Sequence, residues 1–171
     1  MANASQAQKN IVRSFVGEGP VADLIAAGPA PAPVPAGLIR QSFFVQVAPT
    51  TFTGATVDTP IAGAQQVITT VAGSKLRVTV MHAISLNAAG GQPAQLNVQI
   101  KIDGGSVLAS VPSPVVPSGF NDVVPGSIMY QASFPPGPHT VTINQNRLNA
   151  LNVGTVSAFF PLQMLVEEIS G

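Results

Sequence analysis

The chain lacks cysteine and tryptophan altogether, holds one tyrosine, and carries very little charge. Without Cys, neither a disulfide framework nor a thiolate metal site can form. Seven Lys and Arg balance seven Asp and Glu, so the formal net charge is zero. That removes the basic excess with which proteins grip phosphate backbones, and no nucleic acid is expected among its partners. Charged residues make up 8% of the chain, against about 25% in ordinary domains. The surface must then be built from Ser, Thr, Asn, Gln and Ala. A free, concentrated protein normally uses charge to resist association, and interfaces are poor in it. Much of this surface is therefore expected to lie against neighbours. Aromatic residues total 5%, which gives little material for the exposed rings that hold sugars and single strands. No run reaches the roughly 18 apolar residues that a membrane span needs. The best candidate, Val21 to Leu38, is broken by Asp23, Pro29, Pro31, Pro33 and Pro35. Met1 to Gln8 lacks a charged start and an apolar run, so no secretion leader is expected.

What is present falls into two parts. Up to Gly37, Ser5 and Gln8 form a possible capping box, after which Ala7, Ile11, Val12, Phe15 and Val16 recur at helical spacing. Gly17-Glu18-Gly19-Pro20 ends that helix, and Val21 to Gly28, with Leu24 and Ile25, suits a further short turn. The alternating prolines from Pro29 to Pro35 favour a stiff polyproline II spacer. A short amphipathic helix on such a spacer cannot bury its own apolar face. It stays disordered, packs on its own domain, or docks on a partner through Ile11, Val12, Phe15, Val16, Leu24 and Ile25. Residues 1–37 are read as an arm and 38–171 as a domain.

From Leu38 the period becomes two. Leu76, Val78, Val80, His82, Ile84 and Leu86 alternate with polar neighbours, and so do Leu96, Val98, Ile100 and Ile102. Other strand candidates are Leu38–Ala48, Phe52–Val57, Gln66–Ala72, Val107–Val111, Ile128–Phe134, Thr140–Gln145 and Thr155–Ile169. Turn signals at Ala72-Gly73-Ser74, Ala88 to Gly91, Asp103-Gly104-Gly105 and Pro135 to Pro138 separate them. Four prolines mark Pro112–Gly126 as a long surface loop. Eight or nine short strands with punctuated turns describe an all-β sandwich or barrel. The expected fold is a single jelly-roll-like sandwich of antiparallel strands behind an N-terminal arm.

Reactive constellations are scarce. His82 lies on the apolar face of its strand and reads as a satisfied core or edge histidine. His139 follows a Pro-Gly-Pro turn and reads as a surface residue beside it. Two His and no Cys leave a zinc site short of ligands. No Gly-x-Ser-x-Gly elbow or phosphate loop exists, and Gly17-x-Gly19-x-x-Ala22 follows no strand. Glu167 and Glu168 are adjacent on a strand, so they point to opposite faces and cannot act as an acid/base pair. Strand-end solubility is their expected role. Asp103-Gly104-Gly105 suits a hairpin turn better than a calcium loop. No catalytic residue, metal or cofactor is expected.

Three stretches carry a resemblance. Gln95 to Gly105 (QLNVQIKIDGG), Pro136 to Ile143 (PGPHTVTI) and Leu162 to Ile169 (LQMLVEEI) resemble the closing half of β-sandwich modules in bacteriophage virion proteins. There, one strand ends in an Asp-Gly hairpin, a Pro/Gly-His-Thr-Val strand follows, and a last strand ends in a Val-Glu-Glu-Ile-like sequence. The resemblance covers about half of the chain. Its small size and richness in Ala, Pro, Gly and Val are also similar to the smaller jelly-roll capsid protein of membrane-containing icosahedral phages of thermophiles. The resemblance implies a non-enzymatic capsid-building or capsid-decorating subunit located in the virion. It would associate with itself, as a trimer or dimer, and with other capsid proteins. No catalytic residues carry over. The alternative is a fibre or spike head that binds a host receptor or glycan through the loops Pro112–Gly126 and Ala88–Pro93. Fibre proteins commonly have long repetitive shafts, and this chain has none.

Overall fold

The computed structural model describes residues 35–53, 58–88, 93–147, 153–156, 159 and 161–171. None of these is helical, and they form ten strands. The strands are β1 (Ile39–Gln46), β2 (Thr50–Thr53), β3 (Thr59–Thr70), β4 (Ser74–Asn87), β5 (Leu96–Ile102), β6 (Val107–Pro112), β7 (Asn121–Ser133), β8 (Gly137–Arg147), β9 (Val153–Val156) and β10 (Gln163–Ser170). The two-residue rhythm decides which side of each strand goes inward. On β4, Leu76, Val78, Val80, Ile84 and Leu86 are fully buried, while Lys75, Met81 and Asn87 between them are exposed.

All strand pairings are antiparallel, and they nest. β1 pairs with β10, β2 with β9, β3 with β8, β4 with β7 and β5 with β6. Ile39 faces Ile169, Lys75 faces Ser133 and Asn97 faces Pro112, so each pair straddles Gly104 almost evenly. The domain is one long hairpin rolled up on itself. Its fold point is a tight turn in which Asp103 and Gly104 both take positive φ, 55° and 67°, and the Gly105 N–H bonds back to the Ile102 carbonyl. Asp-Gly is the dipeptide that tolerates this left-handed pair of conformations best.

Rolling produces two sheets. A six-stranded sheet contains β1, β10, β4, β9 and β2 in that order, with β7 on the other side of β4. A four-stranded sheet runs β3-β8-β5-β6. Setting aside the short β2 and β9, eight strands divide as β1-β10-β4-β7 and β3-β8-β5-β6. This is the double Greek-key order of a jelly roll. The core between the sheets is aliphatic. Its large, fully buried members include Ile68, Leu76, Ile84, Leu86, Leu96, Ile100, Ile143, Leu162 and Met164, and Tyr130 and Phe134 only pack at its margin.

Several expectations need correction. Thr155–Ile169 is not one strand but contributes to β9 and β10. Pro112–Gly126 is not a long loop, because β7 begins at Asn121 and runs straight through Pro125. Pro125 is tolerated because β7 borders the sheet, where a missing N–H need not break a ladder. The remaining loop is anchored. Ser113 exchanges backbone and side-chain hydrogen bonds with Leu96, and Val116 pairs with Ala94.

Candidate interaction surface

Titratable side chains are the first place to look for chemistry, and in this structure they serve to hold strands. His139 is buried rather than a surface residue beside its turn. Its Nδ1 lies 2.7 Å from Asp103 Oδ2, and its Nε2 lies 2.8 Å from the Pro135 carbonyl oxygen. Carboxylate and carbonyl both accept, so the site suits a ring that donates from both nitrogens, as the protonated imidazole does. Burial opposes that charge, but the Asp103 carboxylate and the Pro135 carbonyl outweigh it and hold the His139 pKa above its ordinary value. The same hydrogen bond holds the Asp103 carboxyl below its ordinary range. The second Asp103 oxygen accepts the Thr140 N–H at 2.7 Å, so this carboxylate staples the β5–β6 turn to β8 and is already occupied as an acceptor.

Glu167 and Glu168 do point to opposite faces, but they do not serve solubility. Both are buried, at 4% and 2% exposure. Glu167 pairs with Arg77 at 2.7 Å on the outer face. Glu168 turns inward, where its two oxygens accept the Val71 N–H at 2.7 Å and the Gln41 amide at 2.9 Å. Burial opposes its ionisation, yet hydrogen bonds from Ser74, Val71 and Gln41, with the charge of Arg40, hold its pKa below the usual range.

His82 is a core residue, as its position on the strand implies, although its ring nitrogens make no hydrogen bond. Burial lowers its pKa. The ring lies over Gly126 on β7, where a Cβ would collide with it. Among the described residues, no group of three or more His, Asp or Glu side chains could hold a metal.

The informative surface is the outer face of the six-stranded sheet. Register places Phe44 opposite Leu165, Leu165 opposite Thr79 and Thr79 opposite Met129. Met81 follows on β4, one outward position further along. Phe44, Met81 and Met129 are 60%, 53% and 67% exposed. Beside them Arg77 and Glu167 pair with each other, and Lys75 stands exposed at the start of β4. The four-stranded sheet differs. Its outward positions hold Asn97, Gln99, Lys101, Asn144 and Asn146, of which Gln99 and Asn144 are buried, with Asp58 bound to Lys101 at 3.0 Å and to Asn146 at 3.2 Å. Sequence reading missed the apolar patch because its members sit one per strand, scattered along the chain. Only the register assembles them.

The arm residues Ile11, Val12, Phe15, Val16, Leu24 and Ile25 lie outside the described residues, as does most of Ala88–Pro93. The part of the Pro112 loop that remains meets Ala88, through bonds from Ala88 N to the Phe120 carbonyl and from Gly119 N to the Ala88 carbonyl. Val115 and Phe120 are exposed there, at 53% and 64%. Tyr130 is partly buried and packs against the core.

No family model matches the chain, and no curated protein matches it. Among solved structures, it is similar to a structure of infectious bursal disease virus Gt strain, at 10% identity and a TM-score of 0.38, covering 84% of this chain and 42% of that one. A crystal structure of the T13 particle of the same virus gives 10% identity and a TM-score of 0.38, covering 77% and 36%. The enzymatically active domain of bacteriophage CBA120 tailspike protein 4 gives 12% identity and a TM-score of 0.25, covering 68% and 18%. The chain thus spans less than half of each of these.

Proposed function

We propose that this chain is a non-enzymatic structural subunit of a virus particle, either building the capsid or decorating it. The observation that carries this reading is the row of exposed apolar side chains on the outer face of the six-stranded sheet, built on a jelly roll whose buried charges are used for structure. Such a face is costly to leave in water and is a normal site for protein contact. The scarcity of charge and the resemblance of the strand sequences to phage virion modules support the same role. Self-association and contact with other capsid proteins follow. In this reading the N-terminal arm is a latch: Ile11, Val12, Phe15, Val16, Leu24 and Ile25 engage a neighbouring subunit and raise the effective concentration of the weaker face contacts.

The test is incorporation into the parent particle, read by mass spectrometry and electron microscopy of purified particles. The unmodified chain is expected in stoichiometric amounts. The double variant I11D/F15D is expected to fold and melt normally but to be missing from particles. Absence of the unmodified chain from particles contradicts the virion role, and normal incorporation of I11D/F15D contradicts the latch.

One observation favours a second reading. The two loops that a receptor-binding head would use meet at one end of the sandwich, with Val115 and Phe120 exposed. In that case V115D/F120D abolishes binding to host cells, while I11D/F15D leaves it intact.

A further inference from the structure

Five strands border the two sheets, and they are guarded unequally. β7 carries Pro125 in its middle, β3 carries Pro60 and a register irregularity, β6 ends in Pro112, and β2 has four residues. Proline offers no N–H to an incoming strand, and short or bulged edges make poor templates. β1 is different. From Gln41 to Gln46 it is regular, without proline and without charge. Among the described residues it pairs on one side only, with β10. Its one irregularity lies between Ile39 and Gln41, at the start of the strand. Phe43 and Phe44 stand exposed on it, at 36% and 60%. Proteins that must stay monomeric do not leave an edge of this kind open.

We propose that β1 pairs antiparallel with β1 of a second copy across a two-fold axis, joining two six-stranded sheets edge to edge. This deepens the reading of the chain as an assembling subunit and rests on it. A two-fold axis perpendicular to the sheet sets one residue opposite its own copy, so outward residues continue to meet outward residues. The axis falls at Phe43 or Phe44, the middle of the regular stretch. With Phe43 on the axis, Ser42 faces Phe44 and Arg40 faces Gln46, so no like charges oppose each other. The apolar row of Phe44, Leu165 and Met129 then runs on into its copy. Four strands about 4.8 Å apart and about 27 Å long give one face of about 500 Å². Two joined faces give about 1,000 Å², above the roughly 800 Å² that each side of a standard interface supplies. Pairing through β1 thus turns two modest patches into one platform large enough for a further neighbour in a shell.

The test is the solution mass of the full chain, by sedimentation velocity from roughly 1 to 100 μM, since dimer content follows protomer concentration. The unmodified chain is expected at twice its single-chain mass. The variant S42K/F44K, altered only at outward, exposed positions, is expected at single-chain mass with unchanged circular dichroism and melting. The control V67K/T69K, on the four-stranded sheet, is expected to remain dimeric. Because the chain has no Cys, F43C and F44C give a clean second readout: at least one is expected to form a disulfide-linked dimer on mild oxidation, and V67C is not. A single-chain mass for the unmodified protein across the range overturns the proposal. So does a dimer that survives S42K/F44K. A dimer lost in I11D/F15D but kept in S42K/F44K assigns the contact to the arm and overturns it as well. Particle incorporation is scored separately, so failure of the virion role and failure of the β1 contact are distinguishable.

Discussion

The two sheets share one aliphatic core but turn different faces outward. The six-stranded sheet tucks its two glutamates away, Glu168 inward and Glu167 against Arg77, and shows Phe44, Met81 and Met129 to its surroundings. The four-stranded sheet carries amides at its outward positions, Gln99 and Asn144 among them buried, and keeps its ion pairs, Asp58–Lys101 and Asp103–His139, at its outer face and rim. Both begin from the same alternating pattern. What differs is the chemistry of the outward positions: exposed apolar side chains on one sheet, amides on the other.

The sharpest way to break the contrast is to disturb the core that both faces rest on. Gly126→Val places a side chain where the buried His82 imidazole lies, so the ring or the strand must shift. The expected loss is about 3 kcal/mol, measured as a fall in the urea midpoint. His82→Leu combined with Gly126→Val should not restore stability fully. His82→Leu alone should be neutral or stabilising, since it removes ring nitrogens that are buried without partners.

Next in size is Glu168→Ala, which strips the Val71 N–H and the Gln41 amide of their acceptor inside the six-stranded sheet. It is expected to cost about 2 kcal/mol. Its pKa is depressed in the folded state. The stability it contributes is therefore fully present above the unfolded carboxyl value and is lost as pH falls through the folded one. Glu168→Ala should show a shallower acid limb of stability against pH than the unmodified chain.

A smaller effect, on the other side of the pH scale, belongs to the four-stranded sheet. The His139 pKa is raised, so its contribution is complete below the ordinary imidazole value and is lost as pH rises through the folded value. The Asp103 pKa is depressed, so its contribution is lost only in acid. The pair therefore acts fully in mildly acidic solution. Because Asp103 is half exposed, the pair is expected to be worth about 1 kcal/mol. His139→Gln should flatten the decline of stability as pH rises above the ordinary imidazole value, read from urea midpoints. Hydrogen exchange should place the loosening at the β5–β6 turn and the start of β8, with β10 unaffected.

These effects bear on how much could be read from the sequence. The alternation in β4 and β5 was plain, because those strands run through the centre of each sheet and every second side chain enters the core. The Asp103-Gly104 turn was equally plain, because only such residues accept two positive φ values in succession. β7 was hidden. Pro125 and Gly126 look like a loop until β4 is placed beside them, when Pro125 becomes an edge residue and Gly126 the space for His82. His139 and the two glutamates were misread as exposed, because their partners lie far away in sequence: Asp103 is 36 residues from His139, and Arg77 is 90 from Glu167. Burial of a charge is visible only once its partner is. The apolar face escaped notice for the same reason, being assembled by register from four strands.

The smallest expected change in stability is at that face. Met81→Gln with Met129→Gln should alter the urea midpoint by no more than about 0.5 kcal/mol, since both side chains are largely in solvent. Their effect should fall on assembly instead, as reduced incorporation into particles. Val67→Gln, an exposed apolar residue of β3 on the four-stranded sheet, should change neither.

The most direct measurement is methionine oxidation by peroxide, compared between the dilute subunit and the assembled particle. Met81 and Met129 are more than half exposed, whereas Met164 is fully buried and serves as an internal reference. In the dilute subunit, Met81 and Met129 should oxidise readily and Met164 slowly; in the particle, the first two should slow by about tenfold or more. Equal rates for Met81 and Met129 in the two states would mean that the apolar face stays in water, and would contradict its role as a contact surface.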